Sequence, residues 1–141
     1  MLTPQEKLEY FAASLDGVTT DNELRLRTEI IASEIDILLV SIEDREDFPI
    51  YITVDESQIL CMSYLWREED IKPNLHKELL DTLLSMNLPM PLSSFSKVGN
   101  QYIIFGALWT SSTVDELIRE IDFLSDNTLT AVEELWDYLI K

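Results

Sequence analysis

The sequence predicts a single α+β domain in which an antiparallel sheet is packed by helices, in the order α-β-β-β-β-α-β-β-α. Three observations carry that prediction. Apolar residues recur at helical spacing near both ends of the chain and once in the middle, while the segments between them alternate with period two or run apolar for strand-sized lengths. Connections between the first four strand-like segments are too short for parallel crossovers, which makes them an antiparallel meander. The 141 residues make one domain, 1–141, with 46% hydrophobic and 26% charged residues, an ordinary soluble balance.

Thr3-Pro4-Gln5-Glu6 opens the first helix with a Thr cap, a Glu three residues later and Pro at the first helical position. Leu8, Phe11, Ala12 and Leu15 share one face, and Gly17 is placed to end the helix in the left-handed conformation. From Glu23 the period becomes two, with Leu24, Leu26 and Thr28 alternating against charged neighbours. Ile35 to Ile42 is rich in β-branched residues and reads as a more central strand. After the charged loop Glu43 to Asp47, Phe48 to Val54 carries Pro49 near its start, a position that suits an edge strand. Ile59 to Trp66 completes the meander.

The second helix is expected from about Pro73 to Met86, with Leu75, Leu79, Leu80, Leu83 and Leu84 as its apolar stripe. Ser94 to Val98 and Gln101 to Trp109 flank Gly99-Asn100, a pair suited to a tight hairpin turn. Ser111, Ser112 and Thr113 then offer cap oxygens, with Glu116 in capping-box spacing from Thr113. Helical periodicity continues from Thr113 to Leu139, interrupted in character only at Asp126-Asn127-Thr128. An unbroken helix of that length would span about 40 Å, more than a compact domain needs, and this surplus predicts packing on a second copy, a homodimer.

The run MPLSS from Met90, then QYIIFGALWTSSTVDELIREI and SDN, resembles the C-terminal half of the YjfI-like family of small bacterial proteins. The likeness is close over Met90 to Ala131 and collinear upstream, with an extra stretch between Ile42 and Gln58. The resemblance implies a type III secretion chaperone-like fold and a genomic setting beside a PspA-like membrane-remodelling protein. It supplies no catalytic residues.

Charge excludes several functions. With 27 acidic and 10 basic residues the net charge is −17, which repels phosphate backbones and anionic lipid head groups. A lone cysteine, Cys61, rules out an intrachain disulfide framework, and the N-terminus lacks the apolar core of a signal peptide. A cytoplasmic setting is the resulting expectation. His76, the only histidine, has no neighbouring Cys or Ser motif and reads as a solvated helix residue. The acidic clusters lack the spacing and glycine of a calcium loop, so no metal or cofactor is expected. Three glycines cannot build a phosphate-cradling loop, and Gly106 is read as close helix-on-sheet packing or a bulge.

Aromatic residues near strand and helix ends are the remaining candidates. Trp66, Trp109 and Trp136, with Glu116 and Glu120 on the acidic terminal helix, form the candidate partner surface. The function expected is a non-enzymatic, acidic cytosolic accessory protein whose sheet and long terminal helix form a protein-binding or dimerisation surface. The resemblance implies a chaperone-like or regulatory role with a PspA-like partner. The alternative is a small-ligand binder or enzyme using carboxylates in a pocket between the second helix and the sheet, which would require a closed polar pocket with convergent acids.

Overall fold

A computed structural model describes residues 1–141. Helix α1 (Pro4–Leu15) precedes the meander β1 (Leu26–Ile31), β2 (Ile37–Ile42), β3 (Ile50–Val54) and β4 (Ile59–Arg67). Helix α2 (His76–Asn87) then leads to the hairpin β5 (Ser94–Val98) and β6 (Gln101–Leu108), and α3 (Val114–Glu134) follows. All six strands form one antiparallel sheet in the order β1-β2-β3-β4-β6-β5, the returning strand β6 lying between β4 and β5.

Local sequence accounts for most boundaries. Thr3 and Thr113 each close a capping box, with Glu6 and Glu116 respectively, so both helix starts lie where the sequence predicts. Gly17 has φ of 78° just past α1, and Gly99 has φ of 58° in the hairpin turn. Before α2, the Pro73–Leu75 segment is a 3-10 turn and the α-helix proper starts at His76.

The strand expected at an edge is internal. β3 lies between β2 and β4, and Pro49 precedes its first residue, so the missing amide removes no ladder bond. The Pro49 carbonyl instead accepts a 3.1 Å hydrogen bond from the Ser63 hydroxyl.

The three helices share one face of the sheet. One contiguous core joins Leu8, Phe11 and Leu15 of α1, Leu79 and Leu83 of α2 and Leu117, Ile121 and Leu124 of α3. Against them lie Leu26, Leu38, Ile52, Cys61 and Ile104 from the strands. Twenty-one residues of α3 run unbroken through Asp126-Asn127-Thr128, where the Thr128 hydroxyl donates to the Leu124 carbonyl within the helix at 2.7 Å.

α3 nevertheless ends at Glu134, not Leu139. Trp136–Tyr138 is a 3-10 turn that folds the C-terminus onto its own chain. Ile71 bridges Leu139, the Lys72 amide donates to the Tyr138 carbonyl at 2.9 Å, and the Ile140 amide donates to the Asp70 carbonyl at 2.8 Å. Leu135 and Leu139 are buried there. The surplus helix length from which a homodimer was expected therefore does not exist, because burying Leu135 and Leu139 in cis stabilises the bend over a continued rod.

Candidate functional site: the open face of the sheet

Pairing register defines two faces unambiguously. The row Leu38, Ile52, Cys61, Gly106 faces the helices, since a Cβ built on Gly106 would overlap the Glu120 carboxylate of α3. Alternation then sends the adjacent row, Glu29, Leu39, Tyr51, Met62, Phe105 and Ser94, to the opposite face across all six strands. No helix covers that face.

Its central residues are apolar. Leu60 and Ala107 pair in the next row, and Tyr64 pairs with Ile103 in another. Tyr51 and Tyr64 stack with ring centroids 4.8 Å apart. Leu39, Tyr51, Leu60, Met62 and Phe105 are half-buried by one another, while Tyr64 and Ala107 are exposed. A sheet solvated on one face ordinarily alternates apolar with polar residues. β2, β4 and β6 instead carry apolar side chains on both faces, and the open face is a candidate interaction surface for that reason.

Neither edge of the sheet is free in the same way. On β1, the Leu26 amide and carbonyl bond Val18 and Gly17, and Asp16 accepts from the Thr28 amide at 2.9 Å. On β5, Asn87 of α2 accepts from the Phe95 amide at 2.6 Å. These side chains occupy groups an added strand would need, so both edges are blunted against strand addition.

The sequence-predicted surface residues separate. Trp66 is 8% exposed and belongs to the core, a correction to its expected surface role. Its cause is a bulge. Tyr64 pairs with Ile103 and Arg67 with Gln101, so Leu65 and Trp66 together oppose Tyr102 and the alternation slips. Glu120 is likewise buried, at 3% exposed, rather than displayed. Glu116 is exposed but engaged with the Thr113 amide and hydroxyl, and the Thr113 amide chiefly holds its carboxyl below the usual range. Trp109 and Trp136 are exposed, at 71% and 51%. Trp109 follows β6 directly, whereas Trp136 lies in the C-terminal turn beside Lys141.

The space between α2 and the sheet is an open apolar groove of about 340 Å³, lined by Leu80, Leu83, Leu84, Phe95, Lys97 and Tyr102 among others. Leu80 and Leu84, part of the expected apolar stripe, are exposed because α2 buries Leu79 and Leu83, with Met86 packed beside them. No convergent carboxylates line this groove. Glu68 near its end contacts Lys97 and His76 and accepts from the Tyr102 hydroxyl at 3.0 Å. The Lys97 bond chiefly lowers the Glu68 pKa, and burial pushes the Tyr102 phenol up to about 12. His76 is thus part of a paired cluster rather than freely solvated.

Cys61 is fully buried, and burial with the nearby Glu120 charge raises its thiol pKa, which leaves an inert thiol. Gly106 is a point of close helix-on-sheet packing, the first of the two readings the sequence allows. No helix is long and apolar enough to cross a membrane, and no group of three His, Cys, Asp or Glu side chains converges to hold a metal ion. Sequence reasoning placed a surface on the sheet but missed the residues of the open face, Leu39, Tyr51, Met62 and Phe105. Their signal was present in strands apolar on both faces alongside too few helices to cover both.

The architecture is similar to that of a chain in the solved heterodimeric complex ExoU-SpcU from the type III secretion system of Pseudomonas aeruginosa. The TM-score is 0.52 at 15% identity, over 75% of this chain and 80% of that chain. The likeness concerns the fold, and it bears out the chaperone-like α+β architecture. No curated protein matches the chain in sequence. A model of the bacterial family DUF2170, described as an uncharacterized protein conserved in bacteria, matches residues 6–139, and the chain belongs to that family.

Proposed function

We propose that this protein is a non-enzymatic, chaperone-like binding module of the cytoplasm that docks a partner protein on the open face of its sheet. The observation that carries this reading is the apolar row Leu39, Tyr51, Met62 and Phe105, left uncovered while all three helices lie on the other face. Blunted edges direct binding to the face instead of to strand addition. The fold's likeness to a chain from a heterodimeric complex supports partner binding in kind. By the resemblance to YjfI-like proteins, the partner belongs to a PspA-like membrane-stress system and the role is accessory or regulatory.

Affinity capture under mild salt tests the reading, with the native chain compared against Ala107→Arg, a change at an exposed position of the face beside Leu60. The native chain should retain a PspA-like protein and the variant should lose it. Retention of the same protein by both chains would remove the open face from the function.

A further inference from the structure

The open face is apolar at its centre, but its ends are strongly acidic. The turn between β1 and β2 brings Glu34 and Asp36, the loop between β2 and β3 brings Glu43, Asp44, Glu46 and Asp47, and the turn between β3 and β4 brings Asp55 and Glu56. These loops carry eight carboxylates and one base, Arg45, while Arg25 just before β1 and Arg27 within it stand beside Glu43 and Glu46, Arg25 pairing with Glu43 at 4.0 Å. Arg45 is already committed to α3, where it donates to Ser125 and to Asp126, each at 2.8 Å. An apolar strip whose bounding loops carry more carboxylates than bases is complementary to a segment with an apolar face and basic flanks.

Resting on the docking reading, we infer that the occupant of the open face is a basic amphipathic helix of another protein. A second copy is disfavoured by charge. Sheets packed face to face lie about 10 Å apart, close to the Debye length of about 8 Å at physiological salt, so the two acidic rims would repel with incomplete screening. An extended strand is disfavoured because Asp16 and Asn87 occupy the edge amides of Thr28 and Phe95. A helix fits the dimensions. The apolar positions cross β2, β3, β4 and β6, about 15–20 Å at normal strand spacing, which a helix of about 12 residues spans. Leucines on one face would meet Leu39, Met62 and Phe105, and lysines or arginines on its shoulders would reach the rim acids.

The test titrates three labelled peptides of about 16 residues into the full chain at about 50 and 300 mM salt: a Leu/Lys amphipathic helix, the same apolar face with Glu for Lys, and a scrambled Leu/Lys sequence with no apolar face. The Leu/Lys helix should bind at least tenfold more tightly than either other peptide and weaken at high salt. Ala107→Arg should lower its affinity at least tenfold, as should the more buried Met62→Glu, which adds negative charge and so isolates the apolar contact. A Glu34→Gln/Glu46→Gln/Asp47→Asn rim variant should lose most of the salt dependence. Equal binding of the Leu/Glu and Leu/Lys helices, abolished by Ala107→Arg, would overturn the basic-helix inference and leave the docking face standing. Equal binding of the scrambled peptide would overturn it as charge attraction alone. Self-association abolished by Ala107→Arg, with no peptide bound, would make the occupant a second copy. A monomer that binds none of the peptides would overturn the inference, and cross-linking at the face then decides the docking reading separately.

Discussion

The carboxylate of Glu120 lies flat against Gly106, occupying the space that any side chain at that position would need. α3 approaches β6 this closely only because residue 106 has no Cβ, and the Leu92 carbonyl stands 3.0 Å from the same point. Gly106→Ala is therefore expected to destabilise the fold by about 1–3 kcal/mol through overpacking. Urea denaturation measures it. Glu120→Ala in the same chain should recover part of the loss, giving a non-zero coupling in a double-mutant cycle.

Glu120 also makes stability depend on pH. Burial raises its carboxyl from the usual 4.5 to about 7, and its Oε1 has no hydrogen-bond partner. The folded state consequently holds a proton that the unfolded chain releases above pH 4.5. The group imposes no penalty below that pH, destabilises progressively up to about pH 7, and imposes the full penalty above it. Glu120→Gln should flatten this slope and stabilise the protein at pH 8 by about 3 kcal/mol at most. Denaturation midpoints at pH 5 and pH 8 decide it. An unchanged difference between the two pH values in the variant would assign the slope elsewhere. Glu6, Asp55, Glu68 and Glu116 act in the opposite sense, because hydrogen bonds lower their pKa values and their contributions are lost as pH falls through the acidic range.

At the start of α3 the Thr113 hydroxyl accepts from the Glu116 amide at 3.2 Å and Glu116 returns the bond to the Thr113 amide at 2.9 Å. Thr113→Ala is expected to lower stability by about 1 kcal/mol, the usual loss for an N-cap. Binding of any partner should be unchanged, since Glu116 is engaged in capping. Thermal unfolding and partner affinity, measured on the same variant, separate the two effects.

The bend after Glu134 predicts a further asymmetry. Leu139 is buried against the chain around Ile71, so Leu139→Ala should destabilise by about 2–4 kcal/mol. Trp136→Ala, at an exposed residue of the same turn, should stay within about 0.5 kcal/mol. Light scattering should show no change in association state for either variant, since this turn packs on its own chain.

Elements with local signals were legible in the sequence. The two capping boxes, Gly17, the Gly99 turn and the antiparallel meander all follow from neighbours a few residues apart, and the fold class follows from them. Tertiary choices were not legible in the same way. The bulge that turns Trp66 inward depends on register against β6. β3, by contrast, is internal because the meander pairs it with β2 on one side and β4 on the other, which outweighs the edge signal of Pro49. The C-terminal turn depends on a bridge to Ile71, 68 residues before Leu139 in the chain. Of the candidate surface, Trp109 and Trp136 are displayed, while Glu120 proved to be the packing partner of Gly106. The open face required knowing that all three helices choose the same side.

Cross-linking from the sheet tests the central claim most directly. A photoreactive phenylalanine analogue replaces Tyr64 on the open face in one chain and Glu133 on exposed α3 in another, and each is irradiated in native cytosol. The predicted result is a discrete protein adduct from position 64, absent from position 133 and lost when Ala107→Arg is added. No adduct from position 64, or the same adduct from both positions, would contradict docking on the open face.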